Sequence, residues 1–164
     1  MAEYKVIVEK DYLVFAAAHF ITYTGMCETL HGHNYRARVE VEGDLDENSY
    51  VWDFVALKKM MRRLVDELDH RMLLPSDNPA LKVKVEGDTV EVLYHEKERR
   101  YLFPRRDVVL LPIPNTTAEM LARYLAGRVK QELQAVGAAS LSGLMVEVEE
   151  SFGQWASYRE RMRD

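Results

Sequence analysis

The stretch CETLHGHNY, residues 27–35, holds the chain's only cysteine, a glutamate next to it, and two histidines one residue apart. Residues two apart in an extended segment point the same way, about 7 Å apart at their Cα atoms, so His31 and His33 share a side. Continuing the alternation puts them in line with Tyr35, Ala37, Val39 and Val41, while Asn34, Arg36, Arg38, Glu40 and Glu42 take the other side. Imidazoles on an otherwise apolar face need partners, and Gly32 between them admits close approach by another group. A third imidazole, His19, ends an upstream apolar stretch on the parity of Phe15 and Ala17. If the two strands pair, all three converge. Three neutral imidazoles around an open tetrahedral position make a catalytic zinc site, in which the ion polarises water or a substrate oxygen. The spacing alone also admits three ordinary hydrogen-bonded histidines.

Other groups carry two readings each. Cys27 is either a thiol whose ionised form a nearby cation and imidazole favour, or an unreactive loop residue. Asp69 and His70 together offer an imidazole whose tautomer a carboxylate fixes, suited to proton exchange, although a histidine near a helix C-terminus also meets the macrodipole favourably. In LMVEVEE, Glu150 continues the parity of Leu144, Val146 and Val148 and so faces inward. There the N–H fork of a guanidine-like heterocycle would satisfy it, unless the strand end opens to water. Glu147 and Glu149 fall on the opposite parity and read as solvated. TTAE, residues 116–119, reads as a capping box with Thr116 at the cap and Glu119 reaching back. His95 has no evident partner and reads as a surface residue.

The elements that position these groups follow from periodicity. Residues 4–18 read as one long strand or two joined by a bulge near Lys10 and Asp11. A half-buried antiparallel strand starts at Asn34. Asp53 caps a helix with Phe54, Leu57, Met60, Met61, Leu64, Val65 and Leu68 on its stripe, stopping near Asp69 and His70. A second helix is predicted from about Thr117 to Leu133, with Gly137 after its end. Between the helices LKVKV, TVEVLYHE and RRYLF read as short strands, an insertion spanning about 81–112, and VVLLPIP leads into the second helix. GLMVEVEE and WASYRE form a final hairpin. The order predicts an α+β domain with helices on one face of an antiparallel sheet.

The 164 residues suit one domain. A formal charge of −5 argues against a dedicated nucleic-acid binder, and small molecules or proteins are the expected partners. MAEYKVIVEK lacks the order of a signal peptide, and no apolar run is long enough to span a membrane, so a cytoplasmic protein is expected.

FAAAH ending in His19, CETLHGHNY, VWDFVALK around Asp53, LDHRML around Asp69 and His70, TAEMLARYL around Glu119, and VEES ahead of Tyr158 together resemble the 6-pyruvoyl-tetrahydropterin synthase and 6-carboxy-tetrahydropterin synthase family. The resemblance runs in the family's order over nearly the whole chain. It implies a tunnelling fold, ββααββ, assembled as a homotrimer or a hexamer of two trimers with active sites between subunits. It also implies zinc held by His19, His31 and His33, a catalytic thiol at Cys27, an acid/base pair in Asp69 and His70, and a pterin anchor at Glu150. Thr117, Ala118 and Glu119 match a segment lining the pterin pocket. The implied substrate is 7,8-dihydroneopterin triphosphate and the implied product 6-carboxy-5,6,7,8-tetrahydropterin, on the route to queuosine. Alternatives are a 6-pyruvoyl product, cleavage to 6-hydroxymethyl-7,8-dihydropterin, or a non-catalytic pterin- or metal-binding homologue. The chain departs from the compact members of the family in its longer insertion and in its short loop between His19 and Cys27. It also carries Glu28 directly after Cys27, where members that cleave the side chain differently have a glutamate in place of the cysteine. Glu28 is therefore a candidate second base.

Overall fold

The computed structural model describes residues 4–95 and 98–163. In chain order its elements are β1 (Tyr4–His19), the short β2 (Thr22–Tyr23) and β3 (Met26–Cys27), β4 (His31–Gly43), α1 (Phe54–Asp66), β5 (Arg71–Pro75), β6 (Leu81–Glu86), β7 (Thr89–Tyr94), β8 (Arg99–Pro104), β9 (Val108–Leu111), α2 (Ala118–Ala135), β10 (Leu141–Ser151) and β11 (Gln154–Arg161). Six strands form the main sheet in the order β11-β10-β4-β1-β5-β9, and β6, β7 and β8 form a separate three-stranded sheet. The α+β architecture is as expected, with one difference in the sheet. β5 runs parallel to β1, and β9 parallel to β5, so the sheet is mixed rather than antiparallel throughout. β9 lies within the span expected for the insertion but belongs to the main sheet, so the added sheet ends at Pro104.

β1 and β4 form the spine. They pair from Tyr4 opposite Gly43 to His19 opposite His31, with a register break between Glu9 and Val14 where the bulge was expected. Leu13, Phe15, Tyr35, Ala37, Val39, Val41, Leu144, Val146 and Val148 fill the face that α1 and α2 cover. Each large apolar side chain so buried contributes roughly 1.5–3 kcal/mol before entropy is counted. The Asp53 carboxylate accepts the Val55 N–H at 2.8 Å, so α1 starts as expected, and it ends at Asp66, a few residues short of His70. α2 begins one residue later than the capping-box reading requires. Thr117, not Thr116, is the cap, accepting the Met120 N–H at 3.3 Å. The third helical position is then Met120 rather than Glu119, so the box cannot close and Glu119 is exposed.

The opposite face of the sheet corrects a further expectation. Glu147 and Glu149 are buried, not solvated, because arginines one strand away lie over them. Glu147 pairs with Arg38, and Glu149 with Arg36 at 3.2 Å. Glu40, also buried, pairs with Lys5 at 3.0 Å and Arg159 at 3.3 Å. Alternating charge across neighbouring strands desolvates these carboxylates while satisfying them. Among the described residues no helix is long and apolar enough to cross a membrane.

Candidate active site

Pairing of β1 with β4 places His19 directly opposite His31, and His33 follows on the same face. One candidate ligand nitrogen from each of the three rings lies within 4.8 Å of the others. Gly32 is required here by space: a Cβ at that position would sit 2.8 Å from the Ala17 carbonyl oxygen of β1. Local hydrogen bonds orient two of the rings. His19 Nδ1 donates to the Thr116 carbonyl at 2.9 Å, and His31 Nδ1 donates to the Thr29 carbonyl at 2.7 Å, which leaves Nε2 of each ring as the unprotonated nitrogen. Orienting bonds of this kind on the far nitrogen are what metal-binding imidazoles require. His19 is fully buried, and burial first, aided by the neighbouring His31 and His33, lowers its pKa to about 4 against the opposing bond to Thr116. It is a neutral donor at neutral pH. The donor set and its tautomers therefore fit a metal ion.

Glu150 takes the inward side, as its parity predicts. Its Oε1 lies 3.9 Å from Nε2 of both His19 and His33. Beneath them the Tyr35 hydroxyl stands 3.1 Å from His19 Nε2, with its pKa raised by burial and then by Glu150. Thr117, Ala118 and Glu119 open α2, and this helix start reaches the cluster through the Thr116 carbonyl. Thr116 is wholly buried and its hydroxyl donates to the Phe20 carbonyl at 3.0 Å, which ties α2 to the end of β1. Sequence reasoning missed Thr116 as a site residue and gave it a capping role instead. Its contribution is a main-chain oxygen, which leaves no signal in side-chain type.

Cys27 lies in the β2–β3 hairpin, paired with Thr22 and buried. It packs in a second apolar cluster with Phe20, Met72, Leu74, Val90, Val92 and Tyr94. Burial raises its thiol pKa, and Arg99 opposes that shift. Next to it, Glu28 Oε2 comes 3.9 Å from His31 Nε2. Asp69 and His70 form a tight pair, with His70 Nδ1 2.8 Å from Asp69 Oδ2. The other carboxylate oxygen accepts the Ala16 N–H at 2.8 Å, and the His70 N–H returns a bond of 2.6 Å to the Ala16 carbonyl. Burial works against the Asp69 charge, but the Ala16 N–H and His70 hold its pKa below the usual carboxylate value. His70 adopts φ +55°, a left-handed conformation that a non-glycine residue keeps only when such bonds hold it. Its side chain is 83% exposed. A cleft of about 540 Å³ is lined by His33 and His70 with Ala16, Ala18, Gly32 and Arg71, whereas Cys27 and Glu150 are not among its walls.

A *Methanocaldococcus jannaschii* protein named putative 6-carboxy-5,6,7,8-tetrahydropterin synthase is 36% identical over 148 residues, 90% of each chain. A *Pyrococcus furiosus* dihydroneopterin monophosphate aldolase is 46% identical over 66 residues, 40% of this chain and 56% of that protein. The structure of a *Plasmodium vivax* 6-pyruvoyltetrahydropterin synthase with a substituted catalytic glutamate superposes with a TM-score of 0.90 at 30% identity, covering 98% of this chain and 99% of that one. The family model for 6-pyruvoyl tetrahydropterin synthase matches residues 8–161, and the chain belongs to this tetrahydropterin synthase family of pterin-acting lyases.

Proposed function

We propose that the chain is a zinc-dependent lyase that converts 7,8-dihydroneopterin triphosphate to 6-carboxy-5,6,7,8-tetrahydropterin, the compound in the name of the *M. jannaschii* relative, on a cytoplasmic route to queuosine. The observation that carries this reading is Glu150 lying 3.9 Å from two rings of the three-imidazole cluster. A pterin anchor and a metal site would then share one floor. His19, His31 and His33 would hold the ion. When bound, zinc supplies Lewis acidity that polarises the side-chain oxygens of the substrate and acidifies the adjacent C–H bonds. Glu150 accepts the N–H fork of the pterin ring, and Thr117, Ala118 and Glu119 border it. Cys27 and the Asp69–His70 pair move protons: Asp69 fixes the Nδ1–H of His70, which frees Nε2 for exchange. The working unit is a homo-oligomer built on trimers, with active sites between copies, and the domain comprises residues 1–164 with the β6–β8 sheet as its addition.

A second reading gives the chain an additional cleavage of the side chain to 6-hydroxymethyl-7,8-dihydropterin. It is supported by Glu28 Oε2 lying 3.9 Å from His31 Nε2, by the aldolase relative, and by the catalytic glutamate of the *P. vivax* protein. Incubating zinc-loaded protein with 7,8-dihydroneopterin triphosphate and identifying the products tests both. Carboxy product lost in Cys27→Ala and hydroxymethyl product lost in Glu28→Ala are the expected results. No turnover would overturn the substrate assignment, and a product mixture unchanged in Glu28→Ala would overturn the second reading.

A further inference from the structure

The added three-stranded sheet lies against the residues that flank the metal cluster. Tyr101 of β8 stacks on Phe20, the residue after His19, with ring centroids 5.1 Å apart and planes 16° from parallel. Val90, Val92 and Tyr94 of β7 pack in the cluster that encloses Cys27. At the start of β8, Arg99 Nη1 donates to the Glu28 carbonyl at 3.0 Å, while the Glu28 N–H donates to the Ile21 carbonyl at 2.9 Å. The Glu28 residue is thus held at both its N–H and its C=O. The thiol of Cys27 also points at this carbonyl, 3.6 Å away.

Cys27 and Glu28 are adjacent, and adjacent side chains in extended backbone point to opposite sides. The orientation of the peptide groups around them decides which side chain reaches a substrate held at the imidazole cluster. Arg99 is the one side chain from the added sheet that bonds this backbone among the described residues. We propose that Arg99 is a positioning residue that sets the partition between the thiol-dependent and carboxylate-dependent products by fixing the backbone at Glu28. The inference rests on the functional reading above and gives the added sheet a role in product choice. Lysine retains the charge but offers a compact ammonium in place of the planar fork, so it replaces the clamp only in part.

Hydrogen exchange and product analysis of Arg99→Ala, Arg99→Gln and Arg99→Lys test it. In Arg99→Ala and Arg99→Gln, the Glu28 amide is expected to exchange on the order of 10-fold faster, with peptides of 81–94 unchanged. The product ratio is expected to shift by about fivefold, with KM moving less than about twofold and zinc content constant. Arg99→Lys should recover part of both effects. An unchanged ratio in Arg99→Ala overturns the proposal, as does faster exchange spread over 81–104 in both Arg99→Ala and Arg99→Gln, which marks a residue that only supports the sheet. A wild-type protein without turnover would instead remove the functional reading, and with it the product role of Arg99, while the exchange data would still decide whether Arg99 holds the Glu28 backbone.

Discussion

Two neighbouring glutamates, Glu149 and Glu150, divide between the sheet's two faces and therefore between two kinds of consequence. Glu150 faces the imidazoles, so Glu150→Gln should weaken pterin binding roughly 10- to 150-fold, the loss expected for a charge-assisted bidentate pair, with little change in folding stability. Glu149 is buried under Arg36 and accepts the Gly153 N–H at 2.7 Å, so Glu149→Gln should cost about 1–3 kcal/mol of stability and leave binding near its original value. Calorimetric titration with a pterin and urea unfolding of both variants separate these outcomes. His19 gives a third test in chelator-treated protein. Its folded pKa of about 4 lies below the 6.5 of an unfolded histidine, so the unfolded chain binds the extra proton. This contribution is complete above pH 6.5 and is lost as pH falls toward 4, a loss of roughly 3 kcal/mol. Urea midpoints measured from pH 7 to 4 should fall more steeply for the wild type than for His19→Asn, and parallel curves would refute the assignment.

At the scale of elements, the link between α2 and the end of β1 orients the three-imidazole cluster. Thr117→Ala should cost about 1 kcal/mol through the lost cap. Thr116→Val removes the hydroxyl bond to Phe20 and loosens the carbonyl that orients His19, so it should weaken zinc binding roughly 10-fold or more, as loss of an orienting partner does. Competition with a chromophoric chelator measures this, and unchanged affinity would show that His19 needs no help from α2. The sequence carried much of the site because strand parity is local: His31, His33 and Glu150 were placed by counting in twos. It did not carry Thr116, whose partner lies 97 residues away and is met through a backbone atom. Glu147 and Glu149 were misread because parity says which face a residue takes, not whether arginines on the next strand cover it. The parallel strands β5 and β9 are short apolar runs, RMLLP and VVLL, and such runs reveal a strand only once its neighbours are known.

For the whole molecule, the antiparallel part of the sheet ends in two unpaired edges. Among the described residues β11 pairs only with β10, and β5 meets β1 only at Ala17 and Ala18, so the stretch of β1 from Tyr4 to Leu13 has no second neighbour. Long open edges are hazards unless covered, and a β11-to-β1 contact between copies is heterologous, which closes into a ring when its rotation divides the full turn, as the trimer proposed above requires. Closure would turn the charged face inward as a barrel lining. For the trimer proposed above, light scattering should give about 57 kDa or a multiple, three times the 19.1 kDa chain. The proposed ring bears on catalysis. The cleft that contains His70 does not include Cys27 or Glu150, and 83% exposure leaves the imidazole of His70 available to a neighbouring copy. If Cys27 of one copy works with Asp69 and His70 of the next, Cys27→Ala and His70→Ala are each inactive as pure oligomers yet complement when mixed. Random reassembly at equal amounts should restore about one quarter of wild-type sites, since each site needs an intact thiol from one copy and an intact imidazole from its neighbour. Mixed oligomers made by coexpression and assayed for carboxy product provide the measurement. Zero recovery in oligomers proven to contain both variants would place the thiol and the acid/base pair of each site in one and the same chain.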